Sequence, residues 1–183
     1  MCSSAKKRFL HDELFSLTLM ALVQRGKMYK ARSSEKMRKQ FHQDLQQRIE
    51  DIASHYTKPV TDQEHEANIL SLAHGLSELH GEVLKDGCFR IGSAQKALNL
   101  FLKYLWCLGE ICQPPHCPFD FRIIKLLKSK LPPNTPLKWT ELNDINHYRS
   151  YVEAAKSLQA ACIAEWELQS YNRSQQRRSN AIS

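Results

Sequence analysis

The sequence predicts an all-α fold of about seven helices around one central buried helix, residues 94–109. Three observations carry that expectation. Apolar residues recur at three- and four-residue spacing along most of the chain, with no strand-like alternation and no internal repeat. Six glycines and seven prolines occur in 183 residues, and they punctuate the periodic stretches and leave long unbroken runs. One such run, Ala94 to Leu108, is apolar around nearly its whole circumference, which is the pattern of a helix enclosed by others.

The elements follow in order. Residues 5–30 form a first helix, with Leu10, Leu14, Leu17, Ala21 and Leu22 at helical spacing. A second spans about 34–56 on the stripe Met37, Phe41, Leu45, Ile49, Ile52 and Tyr56, with Lys36, Arg38, Lys39 and Arg48 on the face that meets water. Tyr56-Thr-Lys-Pro-Val-Thr-Asp then breaks the pattern, because proline disfavours helix at the residue before it. The third helix, about 63–84, is capped by Thr61 or Asp62 and buries Ile69, Leu72, Leu76, Leu79 and Val83. Lys85-Asp-Gly-Cys is a stop and a turn. Ser93 caps the central helix and Gly109 ends it.

Pro114, Pro115 and Pro118 stiffen the next loop, and Asp120 opens a fifth helix to about 131. Pro132-Pro-Asn-Thr-Pro is an extended connector, and Thr140 caps a sixth helix to about 158, with Leu142, Ile145, Val152 and Ala155 inward. A seventh, about 162–172, carries Ile163, Trp166 and Tyr171. The organisation expected is an N-terminal helical pair or arm over 1–57, a helical core over 62–172 and a basic flexible tail over 173–183.

A hydrophobic share of 42% and a charged share of 25% are those of an ordinary globular chain. The net charge of +7 admits a polyanionic partner without requiring one. Lys103 interrupts the most apolar run, so no stretch reaches the ~18–20 residues of a membrane span, and no membrane partner is expected. No secretory pattern opens the chain, and the six cysteines therefore read as reduced thiols of a cytoplasmic protein.

Five constellations bear on chemistry. The stripe Lys96, Asn99, Lys103 shares one face of the central helix, with Trp106 next in the row. It is either that helix's solvated strip or the wall of a cleft in which Lys96 is a nucleophile, since a lysine among apolar groups deprotonates more readily. Asp120 is a helix cap, or a carboxylate aimed at the same cleft. Cys107, Cys112, His116 and Cys117 are zinc-type ligands in a spacing unlike a zinc knuckle, and buried thiols are the preferred reading. No metal and no cofactor is expected. His74, Glu78 and Glu82 share a face that reads as solvated. Lys27, Lys30, Arg32, Lys36, Arg38 and Lys39, with Lys125, Lys128, Lys130, Arg173, Arg177 and Arg178, form basic surfaces that suit a phosphate backbone.

Ile91-Gly92 followed by Lys96-Ala97, a long apolar helix, then Pro118-Phe119-Asp120 with Ile123 and Leu126 behind it resembles the helix–hairpin–helix base-excision DNA glycosylases. Arg90 stands where the hairpin's first glycine is usual, and Lys96 falls later in its helix than the family's lysine. The resemblance covers the stretch 87–127. It implies an all-α DNA glycosylase/AP lyase with DNA as partner, in which Lys96 attacks the sugar carbon and Asp120 supports that step. It also implies that Arg90, Gly92 and Ser93 hold a phosphate through the hairpin, that Lys103 and Lys125 contact the backbone, and that Trp106 or Phe119 stacks on an extruded base. The alternative from the residues themselves is a non-catalytic helical interaction module that binds nucleic acid or a protein.

Overall fold

A computed structural model describes residues 4–24, 28–158 and 162–180, with backbone alone at 174–175 and 177–180. Seven α-helices occupy the described residues: α1 Ser4–Val23, α2 Glu35–Ser54, α3 Asp62–His80, α4 Ile91–Cys107, α5 Phe121–Leu127, α6 Ile145–Lys156 and α7 Ile163–Asn180. Short 3₁₀ turns extend α2 and α5 and precede α4 and α6. Strand-like pairing is limited, among these residues, to one antiparallel bridge between Tyr29 and Leu84. The last helix continues to Asn180, well past the expected end at 172.

The caps explain the boundaries. Thr61 closes a reciprocal capping box with Glu64 at the start of α3. Asp120 accepts from the Arg122 and Ile123 amides at the start of α5, and Asp144 from the Asn146 amide at the start of α6. Thr140 lies in a separate 3₁₀ turn and caps nothing. Gly109 ends α4 at a φ of +72°, a conformation that suits a residue without Cβ. Ser93 is inside α4, not its cap, because the helix starts at Ile91. Its first amides are satisfied from elsewhere: Ile91 N donates to Asn143 Oδ1 at 3.3 Å and Gly92 N to Leu142 O at 2.9 Å.

The expectation for α4 holds. It packs against α1, α2, α3, α6 and the 139–141 turn, and Ala94, Ala97, Leu98, Phe101 and Leu102 are wholly buried. Phe15 and Leu22 of α1 and Phe41, Leu45 and Ile49 of α2 belong to the same hydrophobic cluster, so the first two helices are part of the core, not an arm. Of the α2 stripe, Phe41, Leu45, Ile49 and Tyr56 are buried and Met37 and Ile52 partly so, as its periodicity required. On α1 the buried face is Phe15, Thr18 and Leu22, while Leu10 and Leu17 face outward, and on α3 Leu79 is 60% exposed. These three leucines satisfy a helical period without facing the core, because period alone leaves the phase of the stripe open.

A polar seam runs beside this core. The Asn68 amide donates to the Tyr56 oxygen at 3.1 Å, and that oxygen is hydrogen-bonded to His65 Nδ1 at 2.7 Å. Asn99 Nδ2 contacts the Tyr148 oxygen at 3.4 Å, and the Tyr148 hydroxyl donates to His116 Nδ1 at 2.8 Å. The two imidazoles meet edge to face with centroids 4.7 Å apart. Burial drives the proton affinity of both down, that of His116 to about 4. The seam ties the loop before α5 to α3 and α6.

Candidate functional site

The loop from α4 to α5 is fastened by α4's own polar side chains. Gln95 is wholly buried and grips the Phe119 backbone in both directions, donating to its carbonyl at 3.0 Å and accepting from its amide at 3.1 Å. Asn99, one turn on, donates to the Cys117 carbonyl at 2.9 Å. Lys96 lies between these two clamps, and its Nζ is 3.5 Å from Oδ2 of Asp120. Asp120 is itself fixed, because Oδ1 receives the Arg122 amide at 2.9 Å and the Ile123 amide at 3.1 Å. One carboxylate oxygen therefore caps α5 and the other faces the lysine.

Lys96 is only 8% exposed. Burial lowers its proton affinity, which Asp120 partly restores through its charge and its hydrogen bond. The second lysine of the stripe is held more tightly: Lys103 Nζ is 2.5 Å from Glu167 Oε2 and 4.9 Å from the centroid of the Tyr171 ring. Cys117 is wholly buried, and burial pushes its thiol well above the ordinary range, which favours the neutral thiol. The stripe is thus a buried polar seam beneath the α4–α5 loop and α7, and not a solvated strip.

Several expected contact residues are placed elsewhere. The hairpin amides that were to hold a phosphate are used internally, Ile91 N by Asn143 and Gly92 N by Leu142, while Ser93 N donates to Arg90 O. Gly92 is needed for close packing: a Cβ there would lie 1.7 Å from the Trp139 carbonyl oxygen. Arg90 donates to Thr140 O at 3.0 Å and pairs with Asp86 at 2.7 Å. Lys103, expected as a phosphate contact, is paired with Glu167. Phe119 is wholly buried against Tyr148 and Tyr151, which rules out stacking on an extruded base in this fold. Trp106 is half-buried, and Lys125 is exposed.

Lys125 lines a groove of about 680 Å³ between α5 and α7. Phe121 and Leu126 form its exposed apolar edges, Ile123 part of its floor, and Arg122, Lys125 and Arg173 its charged groups, with no carboxylate among the described lining residues. It begins at the residue after Asp120. Of the basic set Lys125, Lys128, Lys130, Arg173, Arg177 and Arg178, Lys125 and Arg173 line this groove. Arg32, Lys36 and Lys39 of the other basic cluster are exposed, whereas Lys30 bonds Gly81 O and Arg38 covers the Tyr29 ring. Lys27 and the side chains of Arg177 and Arg178 lie outside the described residues.

Among the described residues no group of three or more His, Cys, Asp or Glu side chains is placed to hold a metal ion. Cys107 is exposed at the end of α4, Cys112 donates to Thr57 O, and His116 belongs to the seam described above. His74, Glu78 and Glu82 are solvent-exposed, as expected. Gln95 and Glu167 were missed by sequence reasoning. A glutamine in an otherwise apolar helix is a signal that could have found the first; nothing local distinguishes Glu167 from Glu165, the other acid of its helix. No helix of the described residues is long and apolar enough to cross a membrane.

Comparison with family models, with curated proteins and with solved structures finds no match. Fold and site together define a class: an all-α protein with an enclosed lysine–aspartate pair at a helix N-terminus, beside a cation-edged groove.

Proposed function

We propose that the protein is a DNA-processing enzyme of the base-excision kind, a glycosylase/lyase with Lys96 as nucleophile and Asp120 as its electrostatic partner. One observation carries this reading: an enclosed lysine whose Nζ lies 3.5 Å from a carboxylate fixed by a helix cap. Burial favours the free amine that the chemistry needs. That amine attacks the sugar carbon of the target nucleotide, the carbon–base bond breaks, and the base leaves with the bonding electrons and takes up a proton. The bond from that carbon to the ring oxygen then breaks, the oxygen takes its electrons and one of the two amine protons, the other having gone to the departed base, and an imine is left between Lys96 and the sugar. Asp120 offsets positive charge developing on the sugar. The groove beside Asp120, with Arg122, Lys125 and Arg173 on it, supports a phosphate-bearing substrate.

The test is trapping with borohydride on DNA containing abasic sites or damaged bases. The reading expects a covalent adduct that Lys96→Ala abolishes and Asp120→Asn weakens, whereas Lys58→Ala, exposed and outside the groove, retains it. An adduct that survives Lys96→Ala, or none with any substrate, overturns it. The second reading, an interaction module, is favoured by the apolar outer side of α1, where Phe9, Leu17 and Met20 are all exposed.

A further inference from the structure

α4 encloses two lysines on one face, Lys96 and Lys103, a spacing of seven residues and about 10.5 Å along the axis. The fold gives each a carboxylate from a different element. Asp120 comes from the N-terminus of α5 and divides its two oxygens between helix cap and Lys96. Glu167 comes from α7, has a side chain only 6% exposed, and closes on Lys103 at 2.5 Å. The groups that face Lys96 electrostatically are thus Asp120, Glu167 and Lys103, with the neutral Cys117 thiol nearby.

We propose that Glu167 is a positioning residue of this site: a second carboxylate, delivered by α7, that fixes Lys103 and adds its charge to that of Asp120 on the face of α4 that carries Lys96. The charges act in opposite senses. Glu167 favours the protonated amine of Lys96 and Lys103 disfavours it, with the carboxylate the stronger of the two. While α7 is docked, Lys96 sits under two negative groups and one positive group. Without the Glu167 charge, the remaining pair is one carboxylate against a neighbouring cation, an arrangement that releases the lysine's proton. The role in catalysis rests on the reading of Lys96 as the reacting amine; the charge coupling itself does not.

The test reads Lys96 directly, without DNA. The ¹³Cε resonance of Lys96, assigned by its absence in Lys96→Gln, is titrated by NMR in the full chain. A unit charge at a separation on the order of 10 Å, in an effective dielectric of about 20, is worth about one pH unit. Glu167→Gln is therefore expected to move the Lys96 midpoint down by about that much, and Lys103→Met to move it up. Mere loosening of the fold moves both variants up, toward the value of a solvated lysine. If Glu167→Gln alone does not fold, the Lys103→Met chain with and without Glu167→Gln makes the same comparison, with the same downward shift expected. An unchanged or rising midpoint on loss of Glu167 overturns the proposal. A correct shift with no borohydride adduct refutes the enzyme reading alone.

Discussion

Replacing Gly92 by alanine places a Cβ 1.7 Å from the Trp139 carbonyl oxygen, 2.8 Å from its carbon and 3.0 Å from Leu142 Cβ. The obstacle is backbone, so no rotamer change relieves it. Gly→Ala inside a helix ordinarily gains about 1 kcal/mol in propensity. Against that gain, overpacking costs about 1–3 kcal/mol. Pushing the 139–142 segment away also breaks the bond from Gly92 N to Leu142 O, and a buried amide left unpaired costs about 1–3 kcal/mol more. The net expectation is a loss of about 3 kcal/mol, or roughly 6–12 °C in Tm for a chain of this size.

Two other glycines serve as internal controls. At Gly109 a Cβ meets nothing within 4 Å, and only the φ of +72° is strained, so alanine there costs about 1–2 kcal/mol. At Gly75, inside α3, the Cβ would meet only the mobile end of Arg48, and alanine is expected to be neutral or slightly stabilising. Thermal and urea unfolding followed by circular dichroism rank the three. A Gly92→Ala chain as stable as the parent refutes the close approach, and with it the conclusion that this glycine serves packing.

Acidification and the cap at Asp120 give two further expectations. His116 titrates near pH 4 in the fold against about 6.5 when unfolded, so the unfolded chain binds the extra proton and stability falls as pH drops from about 6.5 toward 4. The loss from His116 alone is about 2 kcal/mol by pH 5, with His65 adding in the same direction, and His116→Phe should show a smaller fall; urea midpoints that do not move between pH 7.5 and 5 contradict the buried neutral imidazole. Asp120→Asn retains an oxygen for the Arg122 and Ile123 amides whereas Asp120→Ala does not, so alanine is expected to cost about 1 kcal/mol more in denaturant unfolding. Equal losses in the two variants would show that the cap contributes nothing.

The sequence by itself determined the all-α class, the enclosure of α4, and the stop at Gly109 and start at Asp120. All of these are written in interactions spanning one to four residues, where helical period and capping geometry leave few choices. It also placed Lys96 and Asp120 as candidates, but not their meeting. That contact joins residues 24 apart and depends on Gln95 and Asn99 fastening the intervening loop. Other outcomes are equally non-local: Glu167 reaches Lys103 across 64 residues, the Asn143 side chain takes up the Ile91 amide across 52, and Phe119 is enclosed by two tyrosines of α6. Only the tertiary structure decided these, because which of several polar groups pairs with which is set when helices dock and must satisfy the polar atoms they bury. It turned the expected hairpin amides and stacking ring into packing, and left the enclosed lysine facing its carboxylate.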